Sequence, residues 1–420
     1  MNIGWIGLGK LGMPCAEIIA QKGYRVFGYD IEKINHDQIW IGNSIKTIAQ
    51  RADILFVAVP TPHDPEYDGR SPTAHLEPKD FDYSIVKSVV AEANQHMNKN
   101  QLLVLVSTVL PGTVRRELAP LVTNTQFVYN PYLIAMGSVA WDMVNPEMVM
   151  IGTNDGNESG TAEQLVNFYK TIMENNPRYV IGTWDECECI KVFYNTWIST
   201  KIGLSNMVLD VAERQGNINV DVVTEALAAS TMRIMGPQYM RAGMGDGGAC
   251  HPRDNIALRW MAQELDLGYD LFDSIMNARE KQARNLAEFL VSLAKQKNQP
   301  IVIHGKSYKP GVSHCEGSYS LLVGNYCAEL GIAPIYADSL TGDVYNPTGP
   351  CVFLMAHSAT TTYKYTRLAN YTFDALHCAI PNGSTVVDPW RNFIAENNTI
   401  EVIHYGNTRL GRRQTRSVLE

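Results

Sequence analysis

The sequence predicts an α/β protein with two separate parallel sheets and a helical region between them. In the first third of the chain, short apolar runs of the β type alternate with segments of helix length, an alternation typical of parallel strands joined by helical crossovers. Between residues 185 and 297 the strand signals stop and long helical patterns dominate. After Gln299 the β-type runs return between helix-length segments, which predicts the second sheet.

The strands of both sheets are predicted from runs of apolar and β-branched residues. In the first sheet we expect strands at residues 2–6, 24–29, 54–59, 102–106, 127–129 and 148–151. In the second sheet we expect strands at residues 301–304, 334–337, 351–355, 385–387 and 400–404. The helical middle is supported by Ile190, Phe193 and Trp197, which share one helix face. The predicted domains are therefore 1–184, 185–297 and 298–420.

The composition is that of a folded globular protein. The chain has 420 residues, of which 45% are apolar and 19% charged, so two or three domains are expected and wholesale disorder is excluded. A formal net charge of -8 gives no basic footprint for nucleic acid. The eight cysteines lack paired CxxC spacing and are typical of reduced thiols in a cytoplasmic protein. We find no secretion signal and no apolar stretch of about 18 residues, so we expect no membrane insertion.

A glycine-rich motif follows the first predicted strand. Gly7, Gly9 and Gly12 have the GxGxxG spacing that allows a tight turn and brings backbone N–H groups close to a pyrophosphate at a helix N-terminus. Asp30 ends the next predicted strand, where a carboxylate accepts hydrogen bonds from ribose hydroxyls and repels a 2′-phosphate. We therefore expect NAD as the cofactor, although the glycines could serve only to pack a helix against a strand. The predicted cofactor site includes the other residues of the turn, Leu8, Lys10 and Leu11.

A second glycine-rich loop leads to Cys250. Four glycines between residues 243 and 248 precede Cys250-His251-Pro252-Arg253-Asp254, after which apolar residues have helical spacing. Pro252 is expected at the first position of that helix. A cysteine at a helix N-terminus beside an arginine is favoured as the thiolate, so we interpret Cys250 as a nucleophile. The alternative is a buried free cysteine, which is our interpretation of the other seven.

These motifs together resemble those of the UDP-glucose and GDP-mannose dehydrogenase family. The resemblance covers most of the chain and is carried, in order, by the opening glycine turn, Val59-Pro60-Thr61-Pro62, Ser107-Thr108-Val109, Lys191 with Asn195, Gly247-Gly248-Ala249-Cys250-His251-Pro252-Arg253-Asp254 and Tyr308-Lys309-Pro310. It implies two Rossmann-like domains joined by a long central helix that also builds a homodimer. Among the cofactor contacts it implies are Val59, Pro60, Thr61 and Thr108.

The resemblance implies oxidation of the primary alcohol of a nucleotide sugar to a carboxylate, with two hydride transfers to NAD. Cys250 would then carry a thiohemiacetal and a thioester. Lys191 and Asn195 lie four positions apart on one helix face, where an ammonium beside an amide suits stabilisation of a negative oxygen. Asp254 and Thr108 are expected to position or deprotonate a water.

Further substrate contacts are implied from Arg233, Gly247 and Lys309, besides Lys191 and Asn195. Arg233 resembles a family arginine that reaches the substrate of a neighbouring subunit, although its distance to the cysteine is one residue longer here. UDP-glucose is the expected substrate, and a UDP-N-acetylhexosamine and GDP-mannose are the alternatives.

The chain departs from the family pattern after Asn130-Pro131. Tyr132 and Met136 stand where the family has glutamates, the first of which is associated with hydrolysis of the thioester. A tyrosine with an ordinary pKa of about 10 is a poor base at neutral pH. Either Asp254 supports hydrolysis alone, or another carboxylate such as Asp142 or Glu147 reaches the thioester. The sequence also has an insertion at residues 62–81 that could be a lid or a long loop.

Two other functions fit parts of the sequence. The opening glycine motif and a Lys-xxx-Asn helix also resemble two-electron β-hydroxyacid dehydrogenases, which need neither Cys250 nor a second α/β domain. A non-catalytic nucleotide-sugar binder is suggested by Tyr132 and Met136. No metal site is expected, because three candidate histidines lack ligand spacing: His63, His75 and His251.

Overall fold

The computed structural model of the chain describes residues 1–67, 74–135, 137–158, 160–236, 242–244, 250–358, 378–395 and 398–408. The chain divides into two compact units, Met1–Ile202 and Gly203–Glu420. The boundary between them falls within a long helix, Trp184–Gln215. The division into domains 1–184, 185–297 and 298–420 stays a prediction.

The first unit contains an eight-stranded sheet in the order β3-β2-β1-β4-β5-β6-β7-β8. Its strands are β1 (Asn2–Ile6), β2 (Arg25–Tyr29), β3 (Ile39–Ile41), β4 (Ile54–Val57), β5 (Leu102–Leu105), β6 (Gln126–Tyr129), β7 (Met148–Thr153) and β8 (Arg178–Thr183). All six expected strands are present, whereas β3 and β8 were not expected. One pair departs from the parallel expectation: β6 and β7 are antiparallel and pair only through Tyr129 and Gly152 among the described residues. An antiparallel neighbour does not require a long crossover, and only one short helix separates these two strands.

Both faces of this sheet are covered by helices. These are α1 (Gly12–Gln21), α2 (Ile45–Ala49), α3 (Ser84–His96), α4 (Val139–Val144) and α5 (Thr161–Lys170). Successive strand residues point to opposite faces, so Ile54 and Phe56 of β4 join one apolar layer while Leu55 and Val57 join the other. All four are fully buried, and β4 therefore reads as an unbroken apolar run.

The expected helical middle is present, and the described residues between the two sheets form four helices: α6 (Trp184–Gln215), α7 (Val220–Ala228), α8 (Cys250–Glu264) and α9 (Leu271–Lys297). The ends of α9 follow from local chemistry, because the Asp270 side chain accepts the N–H of Asp273 at 2.9 Å and Asn298 closes the helix in the left-handed region. Within the described part of the chain, no helix combines the length and apolar character that crossing a bilayer demands.

The second unit contains a five-stranded sheet in the order β10-β9-β11-β12-β13. Its strands are β9 (Ile301–His304), β10 (Ile335–Ala337), β11 (Val352–Met355), β12 (Thr385–Asp388) and β13 (Glu401–His404), with α10 (Tyr319–Glu329) between β9 and β10. All neighbouring strands are parallel, and all five expected strands are present. The predicted fold class, with two parallel sheets of the Rossmann type and a helical middle, is confirmed.

Candidate active site

The glycine-rich turn after β1 has the backbone geometry of a dinucleotide site. Gly7 has a φ of +91°, which L side chains rarely adopt, and a Cβ on it would lie 2.6 Å from the carbonyl oxygen of Ala58. A Cβ on Gly12 would overlap the carbonyl oxygen of Gly7, whereas a Cβ on Gly9 would meet no described atom within 4 Å. The fold therefore requires glycine at positions 7 and 12, while Gly9 faces open space.

The N-terminus of α1 adds electrostatic attraction for an anion at this turn. Leu11 is the N-cap residue of α1, and its apolar side chain offers no acceptor to the N–H groups of the first helical turn. The N–H of Met13 donates to the carbonyl oxygen of Gly9 at 3.0 Å and Pro14 has no N–H, so it is mainly the positive end of the helix dipole that favours a bound anion. The open position at Gly9 precedes this helix end by three residues, so the turn fits the pyrophosphate of NAD.

Asp30 supports the same turn from the end of β2. Its Oδ2 accepts the N–H of Leu8 at 2.7 Å, and its Oδ1 accepts the N–H of Glu32 at 3.0 Å. Each carboxylate oxygen has a further lone pair, so the partly exposed Asp30 can still accept hydrogen bonds from ribose hydroxyls. Lys10 is exposed on the turn. The residues present thus fit the adenosine ribose of NAD as well as its pyrophosphate.

Two side chains join the ends of β4 and β5. Ser107 donates from Oγ to the carbonyl oxygen of Val59 at 2.6 Å, and Thr61 donates from Oγ1 to the carbonyl oxygen of Thr108 at 2.6 Å. These bonds bring the predicted Val59-Pro60-Thr61 segment and Thr108 together. They lie at the carboxyl edge of the parallel strands, which is where open α/β sheets bind ligands.

Helix α6 brings Lys191 to the end of β6. The Nζ of Lys191 donates to the carbonyl oxygen of Tyr132 at 2.6 Å. Burial lowers the pKa of the Lys191 ammonium, because a charged group loses hydration away from water. Asn195 lies one turn further along α6 and is exposed. The predicted pair thus lies on one helix, with its lysine directed at the segment that follows β6.

Tyr132 belongs to a buried hydrogen-bond chain. Its hydroxyl lies 2.9 Å from that of Tyr169, which in turn donates to Oδ1 of Asn130, and Nδ2 of Asn130 donates to the carbonyl oxygen of Met150 at 2.6 Å. Burial raises the pKa of Tyr132 well above its ordinary value, and the neighbouring Tyr169 adds to the effect. Tyr132 is therefore neutral at physiological pH and is not a base. Met136 lies outside the described residues.

The two alternative carboxylates named above have local structural partners. Asp142 accepts the N–H of Ala135 at 2.9 Å and the hydroxyl of Ser138 at 2.8 Å, which fixes the start of α4. Glu147 forms an ion pair with Arg178 at 2.9 Å. Contacts within the first unit therefore account for the positions of both carboxylates.

The cysteine motif lies in the second unit. Cys250 is the first residue of α8, which confirms its expected position at a helix N-terminus. Pro252 is the third residue of α8 and not, as expected, the first. Proline is tolerated at this third position because the N–H groups of the first turn have no acceptor inside the helix. Asp254 pairs with Arg253 at 2.8 Å, and both side chains are largely exposed. Gly247 lies outside the described residues.

The other predicted substrate residues are exposed in the second unit. Arg233 lies in the segment between α7 and α8. Lys309 follows β9, with its Nζ 5.2 Å from the ring centre of Tyr308 and its carbonyl oxygen accepting the Ser307 hydroxyl at 3.0 Å. Their roles stay predictions.

Sequence reasoning missed three fully buried carboxyl groups: Glu188, Asp338 and Asp388. Each of the two aspartates follows or ends a strand and accepts three backbone N–H groups. Asp338 has the signal that revealed Asp30, since it follows a strand after a glycine turn. Glu188 stands one helical turn before Lys191, and that spacing is the only signal for it.

Two sequence models of the UDP-glucose/GDP-mannose dehydrogenase family match the chain. The model of the NAD binding domain matches residues 32–173, and the model of the central domain matches residues 185–281. Together they cover more than half of the chain. Cys250 lies inside the second range, whereas the glycine turn and Asp30 precede the first.

Named relatives agree with these matches. The chain is 26% identical over 365 residues to UDP-glucose 6-dehydrogenase YwqF of Bacillus subtilis, covering 79% of this chain and 78% of the relative. It is 25% identical over 348 residues to GDP-mannose 6-dehydrogenase of Pseudomonas putida, covering 74% of each. A solved ternary complex of GDP-mannose dehydrogenase from Pseudomonas aeruginosa has the same fold, with a TM-score of 0.76 at 19% identity over 96% of this chain and 99% of that one. The chain therefore belongs to the UDP-glucose/GDP-mannose dehydrogenase family and is an NAD-dependent oxidoreductase.

Proposed function

We propose that this enzyme oxidises the primary alcohol at carbon six of a nucleotide sugar to a carboxylate, with UDP-glucose as its substrate. The relatives named UDP-glucose 6-dehydrogenase support this choice. GDP-mannose, the substrate in the name of the Pseudomonas putida relative, and a UDP-N-acetylhexosamine are the alternatives. The nucleotide is proposed to bind domain 298–420, and substrate contacts are proposed for Arg233, Gly247 and Lys309.

The partly buried ammonium of Lys191 carries this proposal. The strands β1, β4, β5 and β6 are parallel, so the glycine turn, Thr61, Thr108 and the contact of Lys191 with Tyr132 all lie at one edge of the sheet. The Lys191 ammonium is partly dehydrated and lies at the edge proposed to bind NAD. It can therefore stabilise the alkoxide that develops on the substrate during hydride loss. Burial lowers the pKa of Lys191 and makes proton exchange with that oxygen easier near neutral pH.

In the proposed reaction the chain's own residues hold the sugar and move protons, while bound NAD supplies the hydride acceptor for both oxidations. The Cys250 thiolate adds to the carbonyl carbon of the aldehyde formed first, giving a thiohemiacetal whose oxygen Lys191 and Asn195 stabilise. Loss of the second hydride leaves a thioester on Cys250. Thr108 and Asp254 orient the water that attacks this thioester, releasing the acid and the thiolate.

Hydrolysis is the step on which this chain differs from the family pattern. Tyr132 replaces a glutamate, and its hydroxyl is neutral and engaged with Tyr169. We therefore propose that Asp254 is the main proton acceptor for the hydrolytic water. A slow hydrolysis relative to the second oxidation is the expected consequence.

We also propose a homodimer in the cytoplasm. Helix α6 exposes apolar side chains that a second copy would cover: Phe193, Trp197, Ile198 and Ile202. The described cysteines other than Cys250 are free thiols, as in a reducing compartment. Sedimentation of the wild type against Trp197→Glu tests the dimer, because a charge on the apolar face should release monomers.

The first experiment counts NADH formed per sugar consumed, using NAD and a panel of UDP- and GDP-sugars, while intact mass reports adducts on the protein. Two NADH and an acid product are expected for UDP-glucose. Cys250→Ser should stop acid formation, whereas Cys189→Ser should retain it, because Cys189 is a partly buried cysteine without a proposed role.

Other outcomes separate the alternatives. A single burst with a stable adduct on Cys250 would locate the defect in hydrolysis at Tyr132. Full turnover by Cys250→Ser would favour a two-electron β-hydroxyacid-type dehydrogenase. Ligand-stabilised melting without NADH from any sugar would favour a non-catalytic binder, for which the hydroxyl of Tyr132, engaged with Tyr169 in place of a glutamate, is the supporting observation.

A further inference from the structure

The loop between β5 and the π-helical turn Val114–Leu118 is held by a carboxyl group from α6. The Oε2 of Glu188 accepts the N–H of Gly112 at 2.5 Å, and its Oε1 accepts the N–H of Val114 at 2.7 Å. Glu188 has no exposed surface. Both oxygens of one buried side chain are thus used to fix two backbone groups of this loop.

The same loop carries Thr108 and is fixed at its other end by its own Ser107 and by side chains from two further segments. Ser107 and Thr61 make the bonds across β4 and β5 described above, and the hydroxyl of Tyr83 accepts the N–H of Leu110 at 3.2 Å. With Glu188, the anchors span residues 107–114. The position of Thr108 therefore depends on contacts at both ends of its loop.

A buried glutamate is a costly means of holding a loop. Loss of hydration opposes the charged form and raises the pKa of Glu188 to about 7, although the two N–H bonds act in the opposite direction. An apolar residue would avoid that cost but would leave two buried N–H groups without acceptors. The use of a glutamate here indicates that the exact placement of the loop matters.

Glu188 also precedes Lys191 by one turn of the same helix. One turn of α6 therefore holds the Thr108 loop through Glu188 and presents Lys191 to the carbonyl oxygen of Tyr132. A shift of the loop against α6 would change the distance between Thr108 and Lys191. The distances that matter for catalysis are sensitive to errors of about 1 Å.

We propose that Glu188 is a positioning residue for the overall reaction, fixing the loop of Thr108, which orients the hydrolytic water, against the turn of α6 that carries Lys191. It acts through the backbone of Gly112 and Val114 and does not itself touch the substrate. This inference rests on the proposed function, since it assigns the purpose of the contact to that reaction.

The test compares Glu188→Gln with Glu186→Gln. Glutamine keeps the size of the side chain but offers a single acceptor oxygen and turns an NH₂ group toward one of the two N–H donors. Glu186 is a matched control, because it lies on α6 and its Oε2 accepts the N–H of Thr183 instead of the loop. In Glu188→Gln we expect kcat to fall by about 10- to 100-fold and the KM for the nucleotide sugar to change less than about 3-fold.

Amide hydrogen exchange supplies a readout that does not depend on activity. Residues 107–114 should exchange faster in Glu188→Gln than in the wild type and in Glu186→Gln, because one N–H group loses its acceptor. In a Thr108→Ala background the Glu188→Gln change should cost much less in kcat, since both changes act on the same group. Glu188→Asp, with two acceptors on a shorter stem, should give intermediate values and replaces the glutamine variant if that variant does not fold.

If the wild type is active and the folded variant at position 188 has the same kcat and the same amide exchange, this inference is overturned while the proposed function stands. Faster exchange with unchanged kcat would also overturn it, because the contact would then be only structural. If the fold-losses of kcat in Glu188→Gln and in Thr108→Ala multiply in the double variant, the two residues act independently and Glu188 does not act through Thr108. A wild type that forms no NADH with any nucleotide sugar would overturn the proposed function and the positioning role together.

Discussion

The molecule contains two turns with nearly the same backbone geometry, one in each unit. Gly7 after β1 has a φ of +91°, and Gly305 after β9 has a φ of +100°. In both turns the N–H of the next residue donates to an aspartate at the end of the neighbouring strand, to Asp30 at 2.7 Å and to Asp338 at 2.9 Å. The two sheets thus begin with the same strand, glycine and aspartate arrangement.

The turns differ at the second residue after the glycine. In the first unit this residue is Gly9, which faces open space, and α1 begins at Gly12. In the second unit it is Ser307, which is buried and donates to the carbonyl oxygen of Lys309 at 3.0 Å, and α10 begins only at Tyr319. The shared geometry therefore stabilises the chain reversal, whereas the empty position and the early helix make a cradle for phosphate.

The largest expected difference is between the two aspartates. Asp338 is fully buried and accepts the N–H groups of Lys306, Ser307 and Leu340, so Asp338→Ala leaves one buried donor and two partly buried donors without this acceptor. We expect the free energy of unfolding to fall by about 3 kcal/mol or more, as measured by urea denaturation. Asp30→Ala should cost about 1 kcal/mol or less, because its site is open to water.

NAD affinity is the second measurement that distinguishes Asp30→Ala from Asp338→Ala. Asp30→Ala should weaken NAD binding, since Asp30 is the group placed to accept ribose hydroxyls. Asp338→Ala should leave the affinity of the folded fraction unchanged. Equal destabilisation by the two variants would show that burial does not distinguish the two turns.

The second prediction exchanges the residues that make the turns differ. Gly9→Ser should keep the free energy of unfolding within about 0.5 kcal/mol, because a Cβ at this position meets no described atom within 4 Å. NAD affinity, measured by calorimetry, should fall at least about 10-fold, since the side chain occupies the space that the pyrophosphate needs.

The reciprocal change, Ser307→Gly, is the control. It removes a partly buried hydrogen bond and should lower the free energy of unfolding by about 1 kcal/mol without affecting NAD affinity. Full NAD affinity in Gly9→Ser would mean that the open position beside α1 does not hold the cofactor.

The comparison also explains which features could be read from sequence. Strands such as β4 (Ile54–Val57) and β5 (Leu102–Leu105) are buried on both faces and appear as unbroken apolar runs. The strand β3 (Ile39–Ile41) is a three-residue edge strand, and β8 (Arg178–Thr183) lacks such a run, so both depend on pairing with neighbours. Continuous burial makes a strand easy to predict from local patterns, although the partly buried β10 and β13 also have enough apolar residues to be predicted.

The same distinction applies to the site. The glycine turn and Asp30 could be predicted because their function follows from spacing within one segment of sequence. Glu188 could not, because its partners Gly112 and Val114 are more than 70 positions away and only packing reveals its burial. The bonded state of Tyr132 likewise depends on the distant Tyr169.

The smallest expected effect concerns the residue directly after each glycine, which is Leu8 in the first turn and Lys306 in the second. Lys306 forms an ion pair with Asp343 at 2.8 Å, with both side chains about a quarter exposed. Lys306→Leu copies the first turn and should lower the free energy of unfolding at pH 7 by about 0.5 kcal/mol, because partly exposed ion pairs are screened by water.

The pH dependence of this difference identifies its cause. Partial burial acts to raise the pKa of Asp343, but hydrogen bonds from Lys306 and Thr341 and the ammonium charge outweigh it, so the net shift is downward. A lowered carboxyl pKa adds stability above the pKa of the unfolded chain, and this stability is lost as the pH falls through the folded value. The difference between wild type and Lys306→Leu should therefore shrink below about pH 4 in urea denaturation. A difference that stays constant into acid, or that persists in an Asp343→Asn background, would assign the effect to packing of the Lys306 stem instead of its charge.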